Sequence, residues 1–247
     1  MLGSSGSPAE RSGATPRAPS GAGLLAATAF AIYFLVGVAA VRWLTAGVDD
    51  AAHLQKVERG GLGMLVGIVA LLLFAAYRAP AVRLWRAGVF ARATLLYAAF
   101  IAIWLPIVMI LYPWLLQTWG VQLEPQRQLR YFAEGGGDSL VLWGAMLATA
   151  CVLAPAAEEV LFRGYLQQAL GRALPGWLAV VVAAGLFGML HGPEYAFPIG
   201  LLGLFFGWLS VHLGCLSAAI FTHALHNSIT ISVTVLFPQV IHWVYGE

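Results

Sequence analysis

Charge is the scarcest thing in this sequence. Lys and Arg number 13 and Asp and Glu 11 among 247 residues, so that 10% of the chain is charged while 60% is hydrophobic. An average soluble domain is about one quarter charged, and the deficit here leaves too little polar surface to face water. With a net charge of +2 there is no basic excess to hold a nucleic acid, and none is expected as a partner. Cysteine is as sparse: Cys151 and Cys215 both lie in apolar runs, where a thiol serves as a small hydrophobe, and no disulfide is expected. Strand alternation and internal repeats are missing too. The zinc-binding His-Glu-x-x-His pattern and the Gly-x-Ser-x-Gly nucleophile elbow are absent, and no paired aspartates fall within the apolar runs. Serine and aspartyl hydrolysis therefore have no support.

What is present is a series of apolar runs long enough to cross a bilayer, which takes about 20 residues in helical form. Residues 1–23 are rich in Ser, Gly, Pro and Ala and read as a disordered cytoplasmic tail. Leu24–Val41 follows, too long for a signal-peptide core, and is expected as a retained anchor. Gly60–Tyr77 is a second span. Ala93–Leu123 is a third, with kinks expected at Pro106 and Pro113. Gln126–Asp138 is polar, with room for a short interfacial helix. Ser139–Ala157 is a fourth span running into Glu158 and Glu159, Leu178–Leu190 a fifth, and the uncharged stretch Tyr195–Gly246 holds two more broken near Gly214. The expectation is an all-α, polytopic bundle of seven to eight membrane helices. Residues 24–138 form an N-terminal membrane part, and residues 139–240 a core that carries the chemistry. Tryptophans near span ends (Trp43, Trp85, Trp119, Trp177, Trp243) suit an interfacial belt. The basic loop Arg78–Arg92 sets the inside face, and with it a cytoplasmic N-terminus in a cell (inner) membrane.

Ionisable residues inside such helices cost about 2.5–3.5 kcal/mol each at mid-bilayer and are functional candidates for that reason. Three groups stand out. In Glu158-Glu159-Val-Leu-Phe-Arg163, Glu159 and Arg163 are four apart on one face, in the favourable order for an ion pair. Glu158 points about 100° away and lacks a local partner, which suits a general base. Phe187-Gly-Met-Leu-His191 lies as far beyond the Pro175 turn as Glu158 lies before it, so two antiparallel helices bring His191 and Glu158 to similar depth. In His223-Ala-Leu-His226-Asn227, His223 and Asn227 share a face, and His226 is close enough in angle to line the same pocket. Helix-to-helix hydrogen bonding is the plain alternative for Asn227. One carboxylate, two or three imidazoles and an amide donor suit hydrolysis of an acyl bond by activated water. Glu158, His191 and His223 are also the set that would hold zinc, if zinc is used.

These residues resemble the CAAX protease and bacteriocin-processing family of intramembrane proteases. The family pattern is EExxxR, then FxxxH, then a histidine with Asn or Asp four residues on, and the resemblance covers residues 139–235. It implies that Glu158 and His191 activate water, that His223 and Asn227 form the oxyanion hole, and that Glu159 and Arg163 brace the site, with Phe187 and His226 in support. It favours a glutamate-type mechanism with no cofactor, zinc being the competing view. The implied partners are the lipid bilayer and a membrane protein or peptide substrate. Two rival readings are a non-catalytic membrane scaffold or immunity protein, which predicts that Glu158→Gln leaves function intact, and a proton-coupled transporter, which needs a continuous polar path across the bilayer.

Overall fold

The computed structural model describes residues 88–134 and 140–245. The expected spans Leu24–Val41 and Gly60–Tyr77, the N-terminal tail and most of the basic loop lie outside the described residues. Within them every regular element is helical. The first helix is α1 (Val89–Pro106), continued through a π-helical turn (Ile107–Leu111) into α2 (Tyr112–Thr118). It starts four residues before the sequence-based boundary and takes Arg92 into its first turn. A short α3 (Arg127–Ala133) occupies the polar connector. Then comes a long rod: α4 (Leu140–Ala148), a π turn (Thr149–Leu153), α5 (Ala154–Glu159), a second π turn (Val160–Leu166) and α6 (Gln167–Leu170). After the turn at Pro175 follow α7 (Gly176–Met189), α8 (Ala196–His212), α9 (Leu216–Leu236) and a short α10 (Gln239–Tyr245).

Among the described residues two helices are long and apolar enough to cross a membrane, Val89–Thr118 and Leu216–Leu236, while α7 and α8 are apolar but shorter. The first exposes Leu95, Ile103, Ile110 and Trp114, an outward face suited to lipid and costly in water. Trp119 and Trp177 stand exposed at helix ends.

The breaks between helices have local causes. Gly192, at φ +108°, and Pro193 end α7 beyond His191. Gly214, at φ +60°, ends α8: its N–H bonds Val211 O and the Cys215 N–H bonds Ser210 O, a Schellman cap that needs a residue free to turn left-handed.

Helices in lipid gain little from hydrophobic burial and associate instead by close packing and polar contacts. The α7–α8 pair shows how. A Cβ on Gly188 would strike the Ala196 carbonyl, and one on Gly203 would lie 3.2 Å from the Ala184 Cα. Buried Ala179, Ala183 and Ala184 complete the small surface. The hub of the bundle is α9. Ala218 and Ala219 pack with α1 and α8, Leu216 with the rod and Phe187, and Ile231 with Phe132 and Met146.

Candidate active site

Glu159 and Arg163 sit one helical turn apart in the rod, and both are fully buried. Arg163 Nη1 donates to Glu159 Oε1 at 3.0 Å and its Nη2 to Gly203 O on α8 at 2.8 Å. The guanidinium carbon also lies 4.5 Å from the centre of the Phe187 ring, with Phe162 and Phe206 farther out. Two anchors and an aromatic cage hold this cation where no water competes, which strengthens each contact. One turn on, Gln167 Nε2 donates to Gly207 O at 3.2 Å. Arg163 and Gln167 are thus paired with Gly203 and Gly207, two residues per helix at matching spacing, and the glycines give the long side chains room to reach the backbone.

The same Glu159 oxygen takes a third helix. His223 Nδ1 lies 2.9 Å from Glu159 Oε1. A carboxylate held by a guanidinium is an acceptor, so Nδ1 carries the hydrogen and the ring orientation is fixed. The opposite nitrogen, Nε2, then faces Glu158 Oε2 at 3.9 Å. Adjacent glutamates that leave the rod about 100° apart therefore meet the two nitrogens of a single imidazole, one in a hydrogen bond and one across a gap too long for one. Phe206 stacks on that imidazole at 4.8 Å and Phe187 meets it edge-on at 5.8 Å.

His191 reaches this region through Phe187. The two rings are 4.9 Å apart, and His191 Nδ1 donates to Phe187 O at 2.8 Å. A carbonyl only accepts, so Nδ1 bears the hydrogen and Nε2 of the neutral ring keeps its lone pair for other work. Asn227 binds elsewhere on the rod, donating from Nδ2 to Ala150 O at 2.8 Å. His226 turns to α1: Nδ1 lies 2.9 Å from the Tyr97 hydroxyl and Trp104 meets the ring edge-on at 5.2 Å. Trp104 in turn donates to Pro198 O at 3.1 Å.

Glu158, Glu159, Arg163, Phe187, His191 and His223 are thus linked by direct contacts, while Asn227 and His226 bind outward to the rod backbone and to α1. Sequence reasoning missed Gln167, Tyr97, Trp104 and Phe206. The Gly203–Gly207 spacing was the available signal for Gln167; the aromatic residues carried none, since rings are frequent throughout the chain. Among the described residues no three His, Cys, Asp or Glu side chains gather as ligands for one metal ion. Of the zinc set Glu158, His191 and His223, Glu158 and His223 face each other at 3.9 Å and His191 keeps its Nε2 lone pair open. Neither Cys151 nor Cys215 is in a disulfide. A cavity of about 240 Å³ between Pro113, Gln117, Glu124 and Tyr245 holds none of the candidate residues.

Comparison of the chain with curated proteins and with solved structures finds no match. The segment that carries all four candidate catalytic residues, residues 140–229, matches the family model Type II CAAX prenyl endopeptidase Rce1-like, in keeping with the resemblance to the CAAX protease and bacteriocin-processing family.

Proposed function

We propose that the protein is an intramembrane endopeptidase that hydrolyses a peptide bond in a membrane-associated protein or peptide, with water activated by Glu158 and His191. Residues 140–229 match a family model of CAAX prenyl endopeptidases, and among the described residues two helices are long and apolar enough to cross a membrane. The observation that carries the reading is the shared imidazole: Glu159 on Nδ1 of His223 and Glu158 opposite Nε2. That geometry separates the jobs of the two glutamates. Glu159 is committed to Arg163 and His223. Glu158 has no hydrogen-bond partner competing for it at this imidazole and is free to take a proton from water.

In the reaction, water attacks the scissile carbonyl carbon and Glu158 accepts the proton, with the lone pair of His191 Nε2 orienting the water. Negative charge collects on the carbonyl oxygen. His223, as the imidazolium, donates to it through Nε2, and the amide of Asn227 supplies a second donor. The Arg163 guanidinium faces the fully buried Glu159 carboxylate at 3.0 Å, which limits the cost of holding that pair in lipid. Collapse of the intermediate breaks the C–N bond, and the proton held by Glu158 passes to the leaving amine. No step calls on a metal.

The test compares membrane proteomes of cells carrying the wild type and Glu158→Ala. A protein or peptide that keeps its uncut form only with the variant identifies the substrate. Identical proteomes at equal abundance of the two enzymes would reject the protease reading in favour of a scaffold. Cleavage by the purified enzyme is expected to survive chelation, and its loss would reinstate zinc.

A further inference from the structure

Asn227 is the only asparagine in the chain, and the partner of its amide is decided by a proline on another helix. From Thr149 to Leu153 the rod is wound as a π-helix, so the Ala154 N–H reaches five residues back to Thr149 O. In that register the Ala150 carbonyl falls to residue 155. That residue is Pro155, which has no N–H to give. A backbone carbonyl inside a membrane helix needs a donor from somewhere, and Asn227 Nδ2 supplies it at 2.8 Å. The primary amide is planar and carries two hydrogens on one nitrogen. Fixing the first by a bond to Ala150 O fixes the direction of the second.

We infer that Pro155 is a positioning residue: by withholding an N–H from Ala150 it recruits the Asn227 amide, locks its plane, and so aims its second N–H at the reacting carbonyl oxygen. The recruitment stands on the helix geometry alone; the aiming rests on the protease reading above. Three residues from Glu158, Pro155 thereby couples the helix that carries the base to the helix that carries the oxyanion donors. Pro155→Ala reverses the arrangement in either helical register. If the π turn persists, the new N–H at 155 takes Ala150 O. If the turn relaxes to α, the Ala154 N–H takes it. In both cases Asn227 is displaced.

A single asparagine makes the test direct. Protein labelled with [15N]asparagine and held in lipid nanodiscs gives one side-chain amide pair. In the wild type one of the two protons is expected at a hydrogen-bonded shift and protected from exchange. In Pro155→Ala that proton moves to the free-amide position and exchanges about tenfold faster. Unchanged amide signals in Pro155→Ala overturn the inference. So do two equally unprotected protons in the wild type, a result that decides the matter even where the variant fails to fold. On the substrate found by the proteome comparison, Pro155→Ala is expected to lower kcat about tenfold at constant KM, and to add nothing once Asn227→Ala is present. Additive losses overturn the positioning step and leave the protease reading intact. A wild-type enzyme that cleaves nothing overturns the protease reading and the aiming step, while the amide signals still decide the recruitment.

Discussion

In the first described helix a π turn over Ile107–Leu111 ends two residues before Pro113, and in the glutamate-bearing rod a π turn over Thr149–Leu153 ends two residues before Pro155. The hydrogen bonds match as well: the Tyr112 N–H returns to Ile107 O as the Ala154 N–H returns to Thr149 O. In each case the wide turn makes room for a proline ring and leaves one carbonyl, Val108 or Ala150, whose register partner has no N–H. Burial does not separate them: Val108 and Tyr112 are buried at the first beside exposed Ile110, Leu111 and Trp114, and Val152 is exposed in the second ahead of buried Pro155, Ala157 and Glu159. What differs is that, among the described residues, only the second receives a side-chain donor from a neighbouring helix. A proline after a π turn is a general way to keep a helix going. It becomes part of a site when a third helix packs close enough to use the carbonyl it frees.

The largest effects that sharpen this contrast belong to the rod. Arg163 is 1% exposed and tied to Glu159, Gly203 and three rings. Arg163→Ala leaves the Glu159 carboxylate buried with His223 alone, and removal of one partner from such a pair costs about 3–5 kcal/mol. Denaturant unfolding of the enzyme in detergent should show a loss of that size. A loss below about 1 kcal/mol, the worth of an exposed pair, would mean that water reaches Glu159 and that the buried brace does not exist.

A smaller effect is expected where α7 meets α8. Gly188→Ala drives a methyl into the Ala196 carbonyl and the Gly200 backbone, neither of which can swing aside. Overpacking of this kind costs roughly 1–3 kcal/mol. Gly185, three residues earlier on the same helix, has open space around its Cβ position, and Gly185→Ala should be neutral or stabilising by up to ~1 kcal/mol. The pair is measured by thermal melting in one detergent. Equal melting temperatures would show that close α7–α8 contact is not what holds His191 near the rod.

These residues also mark how far the sequence could be read. The Glu159–Arg163 pair followed from helical spacing, because i,i+4 neighbours on one face have little choice but to meet, and the helix breaks at Pro175 and Gly214 followed from residues that cannot continue a helix. Two things were hidden. The first is the π winding: hydrophobic periodicity is blind to one extra residue in a turn when every face is apolar, and so the link from Pro155 to Asn227 has no trace in the pattern. The second is the direction of His226. Its angle from His223 on α9 was calculable and suggested a shared pocket, but the helix that claims it, through Tyr97 and Trp104, lies outside residues 140–229. Contacts between distant helices depend on the packing of the whole bundle, which spacing within one helix does not encode.

The smallest expected effect is the one that breaks the comparison most directly. Pro113→Ala restores an N–H beside the Val108 carbonyl, as Pro155→Ala does beside Ala150. Among the described residues no side chain depends on the Val108 carbonyl, and Tyr112, the adjacent residue, makes its contact with Glu194 O through its hydroxyl rather than its backbone. Cleavage by Pro113→Ala should therefore stay within about twofold of the wild type, the span of substitutions that touch nothing specific, and the melting temperature should hold or rise as a proline is removed from a helix interior. Should Pro113→Ala reduce cleavage as far as Pro155→Ala, both prolines would be acting through helix shape. The bond from Asn227 to Ala150 would then be a consequence of that shape and no longer the reason for it.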